Sequence, residues 1–264
     1  MLKNITLGQY FPGDSAVHNL DPRMKIVLAL ALIVVVFMVE SLFGFILLGA
    51  FIAFATILAK VGARSVLRSI RPLLFIIVFT FVLNMFFYNG PTVLWEWGAV
   101  KLTEEGIYRA FLIVLRLTFL IFSTSLLTLT TSPMQLTDGM EDLMQPLSKI
   151  RFPVHEMAMM MSIALRFIPT LAEEADRIMK AQMARGAEFD TGNLIKKAKN
   201  MVPLLVPLFI SAFKRADELA LAMESRCYRG GEGRTKMKVL RFAQRDLVAM
   251  LLTVAVILIL VVVF

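Results

Sequence analysis

The chain has 264 residues, 58% of them hydrophobic, a mean hydropathy of +0.74 and a formal net charge of +8. An apolar fraction above the roughly 45–50% usual for soluble domains points to an all-α integral membrane protein in a lipid bilayer, and the surplus of Lys and Arg reads as positive charge kept on the cytoplasmic side rather than as a nucleic-acid surface. Cys227 is the only cysteine, which excludes an intrachain disulfide, and no His, Cys or carboxylate cluster has metal-ligand spacing, so neither a metal nor a cofactor is expected.

Asp14, Asp21, Arg23 and Lys25 precede the first apolar run, and no small-residue cleavage site follows a short core, so the N-terminus does not read as a secretory signal. Apolar runs follow at Ile26–Val39, Leu42–Ala59, Leu73–Tyr88, Ala110–Leu129 and Leu247–Phe264. Glu40 and Ser41 mark a tight turn between the first two, and Asn89, Gly90 and Pro91 end the third. The last run is uncharged and extends roughly 27 Å as a helix, close to the hydrocarbon thickness. The link between the second and third runs carries Lys60, Arg64, Arg68 and Arg71 and no acid, and the N-terminal segment carries Lys3, Arg23 and Lys25. The opposite loops hold Glu40, Glu96, Glu104 and Glu105 against Lys101 and Arg109. This asymmetry places the N-terminus in the cytoplasm, with five transmembrane helices and the C-terminus outside. The expected division is 1–130 for the N-terminal segment and four spans, 131–246 for a cytoplasmic helical region, and 247–264 for the last span. Arg116, inside the fourth run, has two readings: pairing or snorkelling within the bundle, or a functional charge facing protein or water. Asn84 in the third run is expected to bond to a neighbouring helix.

Thr131, Ser132 and Pro133 open the cytoplasmic region with helix-start chemistry, and Met134–Leu147 reads as a short amphipathic helix. Arg151, Phe152 and Pro153 break the chain. From Val154, apolar residues recur at helical spacing through Met157, Met160, Met161, Ala164, Leu165 and Ile168 as far as Met183, with Gly186 as a stop. A polar link, Glu188 to Asn193, leads into a second long helix. Its apolar part, Met201–Phe213, holds Pro203 and Pro207 and is too short and interrupted to be an independent span. That helix continues to Arg226, with Gly230, Gly231 and Gly233 as its end. The 17 methionines are concentrated here, consistent with ordinary packing and with a soft, adaptable contact surface. His18 and His155 are expected to make local hydrogen bonds.

The two long helices resemble one another. Ala175 and Ala216, Asp176 and Asp217, Ala181 and Ala222, and Arg185 and Arg226 share one offset of 41 positions. A repeated Arg-tipped helix suggests two matched plugs for two matched sockets on a partner. Arg suits that role because its permanently charged planar fork binds carboxylates or carbonyls bidentately, and small neighbours let a helix end approach closely.

Taken together, His18-Asn-Leu-Asp21-Pro22-Arg23-Met-Lys25, Ala164-Leu-Arg166-Phe167-Ile-Pro169, Ala184-Arg185-Gly186 and Ser225-Arg226-Cys227 resemble, in order and over essentially the whole chain, the transmembrane coupling subunit (T component) of energy-coupling factor (ECF) transporters. The resemblance implies a non-catalytic subunit of an ABC-type importer in the bacterial cell membrane. It implies two cytoplasmic ABC ATPase subunits as partners and a small membrane-embedded substrate-binding subunit (S component) that carries a vitamin or a metal. It further implies that Arg185 and Arg226, flanked by Ala184, Gly186, Ser225 and Cys227, each enter a groove on one ATPase, and that Asp21, Pro22, Arg23, Arg166 and Pro169 serve structure and coupling. Ser225 and Cys227 depart from the Ala and Gly of the first motif but remain small.

Two rivals are weaker. A membrane enzyme needs a nucleophile, a metal site or a paired acid set, and Glu40 and Arg116 make none of these. Gly230–Lys236 lacks the Gly-Lys-Ser/Thr ending of a phosphate loop, so ATP hydrolysis is expected in another chain. A self-contained transporter would be expected to show an inverted repeat or a polar midplane stripe, and neither is present.

Overall fold

Asp21 begins the helical bundle. Its carboxylate accepts the Arg23 backbone N–H at 2.9 Å, and Pro22 occupies the first helical position, where no N–H is needed. Helix α1 (Pro22–Met38) therefore starts four residues before the apolar run itself. Residues 10–88, 92–97, 100–189, 193–230 and 239–263 are described by the structure, a computed structural model. Lys3, the Asn89-Gly90-Pro91 turn, positions 190–192 of the polar link and the Gly231–Lys236 stretch lie outside them.

Helix α2 (Leu42–Leu58) starts at Ser41, whose hydroxyl accepts the Gly44 N–H at 3.1 Å. The basic link after α2 is not a loop. It forms α3 (Ala63–Ile70), with Val66 buried beside Ala59, Val61 and Leu129. The spacing of Arg64, Arg68 and Arg71 fits one face of this helix. A 3₁₀ segment, Arg71–Leu73, joins it to α4 (Leu74–Phe87). Where the sequence suggested a turn and loop, β1 (Val93–Trp97) and β2 (Val100–Thr103) pair antiparallel, with Trp97 opposite Val100 and Glu96 opposite Lys101. The β-branched and aromatic residues of both segments favour this pairing. Helix α5 (Glu104–Thr130) starts six residues before its apolar run because Thr103 caps it, accepting the Gly106 N–H at 3.1 Å, with Glu104 and Glu105 in the first turn. Ser132 and Gln135 exchange side chain-to-backbone hydrogen bonds at the start of α6 (Pro133–Met144), a reciprocal capping box.

The remaining helices are α7 (Val154–Ala184), α8 (Leu194–Ser225) and α9 (Gln244–Val263). The chain thus forms nine α-helices among the described residues, with one small hairpin as the departure from an all-α plan. Among the described residues, three stretches, Arg64–Phe87, Glu104–Thr130 and Gln244–Val262, are long and apolar enough to cross a bilayer. Helices α1 and α2 have 17 residues each, roughly 26 Å of rise, at the short end of what spans a hydrocarbon core.

Two compact units emerge, one built on Gly8–Leu143 with Val239–Phe264 and the other on Met144–Lys238. The first has a core shared by α1, α2, α5 and α9, in which Val36, Phe45, Leu48 and Leu260 are almost wholly buried against Phe119. Gly49 matters there: a Cβ at that position would stand 2.8 Å from the Phe119 ring, so α2 and α5 approach closely. Outside this core, α4 has no buried residue, and Phe75, Phe79 and Phe87 are exposed, as fits a lipid-facing helix.

Two polar residues in the apolar runs are resolved by the packing. Arg116 donates from Nη2 to the Val39 carbonyl at 2.9 Å, placing a guanidinium on the residue that ends α1, where orphan carbonyls and the helix dipole favour a cation. Of the two readings of Arg116, this contact is the structural one. Asn84 donates to the Thr80 carbonyl of its own helix at 2.9 Å, so this bond closes within α4 and not across to a neighbour.

Candidate partner-docking site

Helices α7 and α8 run in opposite directions where they meet. Gln182 of α7 donates to the Pro203 carbonyl of α8 at 3.3 Å, Arg215 approaches Glu174 at 3.7 Å, and Ile163 and Phe167 share a cleft with Leu219 and Met223. Glu174 and Arg215 are themselves separated by the 41-residue repeat offset. Equivalent positions of the two helices therefore face each other at the centre of the pair, which gives the pair an approximate two-fold relation. Arg185 and Arg226 each lie 11 residues beyond that centre, in opposite directions. At the helical rise per residue their backbones stand roughly 33 Å apart.

Both helix ends have the same hydrogen-bonded form. At the end of α7, the N–H of Gly186 donates to Met183 and that of Ala187 to Gln182, both at 3.0 Å. At the end of α8, the N–H of Cys227 donates to Glu224 at 2.9 Å and that of Tyr228 to Met223 at 3.0 Å. Each end is a Schellman motif with an arginine as the final cap and the next residue left-handed, φ +87° at Gly186 and φ 57° at Cys227. The small residue after each arginine thus has a backbone role. A glycine takes the left-handed conformation without strain, whereas a residue with a Cβ pays about 1 kcal/mol or more. Cys227→Gly is accordingly expected to raise stability by about 0.5–1 kcal/mol and Gly186→Ala to lower it by about 1 kcal/mol, read as opposite shifts in the melting temperature of the full chain in detergent. Because Cys227 already stops the helix, α8 ends before Gly230, Gly231 and Gly233, which the sequence suggested as its end.

Arg185 and Arg226 are exposed, and neither guanidinium bonds to any described residue. Ala184, Gly186, Ser225 and Cys227 are exposed around them. Arg166 and Pro169 lie on an exposed part of α7, where Pro169 removes one helical hydrogen bond. The apolar surface is extensive: Met160, Met161, Phe209, Ile210, Phe213 and Leu221 are all about half exposed or more. Exposed apolar area of this extent is the kind that marks interaction or membrane-facing surfaces in general. Pro203 and Pro207 sit inside α8 without ending it.

The other unit holds a buried junction around Asp21, Pro22 and Arg23. The Arg23 guanidinium pairs with Asp142 of α6 at 2.5 Å and lies over the Phe242 ring at 5.6 Å. Gly139 of α6 lets that helix rest on α1, since a Cβ there would stand 3.1 Å from the Pro22 ring. Asp246, in the first turn of α9, accepts the Asp21 N–H at 2.8 Å through one oxygen and the Ala243 N–H at 2.7 Å through the other. Lys25 places all three ammonium protons, on the carbonyls of His18 and Thr130 at 2.9 and 3.0 Å and on the Thr131 hydroxyl at 3.3 Å. The motif therefore ties the starts of α1 and α9 to α6 and to the end of α5. His18 makes the local bonds expected of it, to Ser15 Oγ at 2.7 Å and to the Phe11 carbonyl at 3.0 Å. Sequence reasoning missed Asp142, Gly139 and Asp246; only Asp246 carried a signal, an acid opening an apolar helix.

Comparison with known proteins adds the following. The sequence profile of the cobalt transport protein family CbiQ matches residues 13–237. The chain is 54% identical over 252 residues to the energy-coupling factor transporter transmembrane protein EcfT of Thermosediminibacter oceani, covering 96% of this chain and 95% of that one. It is 55% identical to the protein of the same description from Acidaminococcus fermentans, over 93% of this chain and 91% of that one. For the one from Bacillus subtilis the identity is 47%, over 93% of each chain.

Proposed function

Since the chain belongs to the CbiQ/EcfT family of transporter transmembrane proteins, we propose that it is the coupling subunit of an ECF-type importer, joining two cytoplasmic ABC ATPases to a membrane-embedded S component that binds a vitamin or a metal ion. The observation that carries this reading is the pair of matched arginine caps at opposite ends of one antiparallel helix pair. Two ATPase subunits that dimerise around a two-fold axis present two like grooves facing opposite ways. A helix pair with its own approximate two-fold relation and tips roughly 33 Å apart offers one guanidinium to each.

The mechanism follows from that arrangement. When the ATPases close on ATP, their grooves move relative to each other, and each cap follows its groove because its arginine is held in the partner. The motion enters α7 and α8 as rigid levers, and the exposed apolar faces of these helices pass it to the S component packed on them. No bond is made or broken in this chain; ATP hydrolysis belongs to the partners. In the bilayer, α1, α2, α4, α5 and α9 make five crossings, with the N-terminus, the basic α3, α7 and α8 on the cytoplasmic side of a bacterial cell membrane, in line with the charge asymmetry of the loops.

Cys227, the sole cysteine, sits beside Arg226 and is exposed, so it reports on both topology and docking. A membrane-impermeant maleimide is expected to label inverted vesicles and to leave right-side-out vesicles unlabelled. Bound ATPases are expected to protect Cys227 in inverted vesicles. Labelling from outside refutes the orientation, and labelling undiminished by stoichiometric ATPases refutes docking at this cap.

A further inference from the structure

We propose that the cleft between α2 and α9 is a binding site for an anionic phospholipid of the surrounding bilayer. The two helices pack together at one end, where Leu260 of α9 is buried with Phe45 and Leu48 of α2. Towards the start of α9 they leave a cavity of about 420 Å³, within the size range of small-molecule sites. Its walls are apolar, with Leu28 and Ala29 of α1, Phe51 and Ala55 of α2, and Leu126 and Leu127 of α5 among them. It opens sideways: Phe54 and Leu58 of α2 and Val248 and Leu252 of α9 line it and are between 41 and 53% exposed. In a membrane protein such a lateral mouth faces acyl chains rather than water.

Two polar groups give the cavity a direction. Arg245 lines it at the first turn of α9; it is exposed and bonds to no described residue. The other cation there, Lys25, is already committed to three acceptors and lies within the charge field of Asp246 and Asp21, so Arg245 is the free anchor for a phosphate. Ser123 of α5 lines the same cavity, is 3% exposed, and its hydroxyl meets no hydrogen-bond partner. It lies seven residues before Thr130, another lining residue, and so roughly 10 Å deeper along α5. A cation at the rim, an unpaired hydroxyl a short way in and apolar walls throughout match the order of a phospholipid: phosphate, ester carbonyl, acyl chain. A free inorganic anion would use only the first of these, and the walls leave buried water few partners. In the orientation proposed above the lipid comes from the cytoplasmic leaflet, the one enriched in anionic headgroups.

The test uses the full chain reconstituted in bilayers doped, at equal mole fraction, with phosphatidylglycerol or phosphatidylcholine carrying the same diazirine acyl chain. Adducts are mapped by peptide mass spectrometry after irradiation. Phosphatidylglycerol is expected to label peptides containing Phe51, Ala55, Ala249 or Leu252 roughly fivefold more than phosphatidylcholine, the effect of one interfacial cation. Arg245→Gln is expected to remove that preference and Arg245→Lys to keep most of it. Ala249→Phe, which fills the cleft, is expected to abolish cleft adducts while α4 stays labelled, so a folding failure is recognised separately. Equal labelling by both lipids, a cleft without adducts while α4 is labelled, or an Arg245→Gln variant like the parent would each overturn the assignment. Copurification of ATPases with Arg245→Gln is scored in parallel, so that loss of the lipid site and loss of the coupling role are told apart.

Discussion

Replacing Arg185 and Arg226 together by Glu is expected to abolish copurification of the ATPases and ATP-driven uptake, while the chain still inserts and folds. Truncating one partner of a buried, hydrogen-bonded charge pair costs about 2–5 kcal/mol, and charge reversal adds repulsion. Two such losses, about 4–10 kcal/mol before repulsion is added, reach or exceed the roughly 4 kcal/mol that separates micromolar from millimolar binding. The folded chain is little affected, because both guanidinium groups are exposed and bond to no described residue. Single substitutions are informative as well. If each tip holds one ATPase, Arg185→Glu and Arg226→Glu weaken the complex separately, and the double variant loses far more than either, since the second contact is intramolecular once the first is made. Retained ATPases and retained uptake in the double variant refute the docking role of these residues.

The second large effect is expected at the buried junction. Asp246→Ala removes the acceptor for two backbone N–H groups, those of Asp21 and Ala243, and takes a negative charge away from the neighbourhood of Lys25. Hydrogen bonds to charged groups contribute roughly 1.5–3 kcal/mol each, and a buried N–H left unpaired costs its desolvation, so a loss of about 3 kcal/mol is expected. That corresponds to a fall of roughly 5–10 °C in the melting temperature in detergent. Asp246→Asn keeps one carbonyl acceptor and is expected to lose about half as much. A melting temperature unchanged by Asp246→Ala refutes the junction as a structural tie. The two experiments separate the two units: the arginine variants lose partners with stability intact, and the junction variant loses stability with both caps intact.

Much of this molecule is legible from residue order. The long runs of α5 and α9 are apolar over enough residues that burial in lipid alone decides them. The repeat in α7 and α8 is visible because helix-end chemistry is local: the arginine, the small residue after it and the apolar spacing before it lie within a few positions. The helix start at Thr131-Ser132-Pro133 is a short-range feature of the same kind. Four element boundaries shifted for a related reason. A cap, rather than the edge of an apolar run, sets where α1 and α5 begin; Arg64, Arg68 and Arg71 leave α3 an apolar side carrying Val66; and a left-handed Cys227 stops α8 before its glycines.

Residue order by itself determined that the chain belongs in a membrane, that it carries two equivalent arginine-ended helices and which family it resembles, because composition, periodicity and caps are properties of neighbours along the chain. Tertiary structure alone decided that the two helices are antiparallel with equivalent residues paired at their centre, so that the arginines point to opposite ends. It also decided that Asp142 and Asp246 meet Asp21 and Arg23, that Arg116 closes the end of α1, and that α2 and α9 leave a cleft between them. Asp21 and Asp246 are 225 positions apart, and Val39 and Arg116 are 77 apart. No local preference can encode such pairings: they form only when apolar burial brings distant segments together and every buried polar group left over must find a partner.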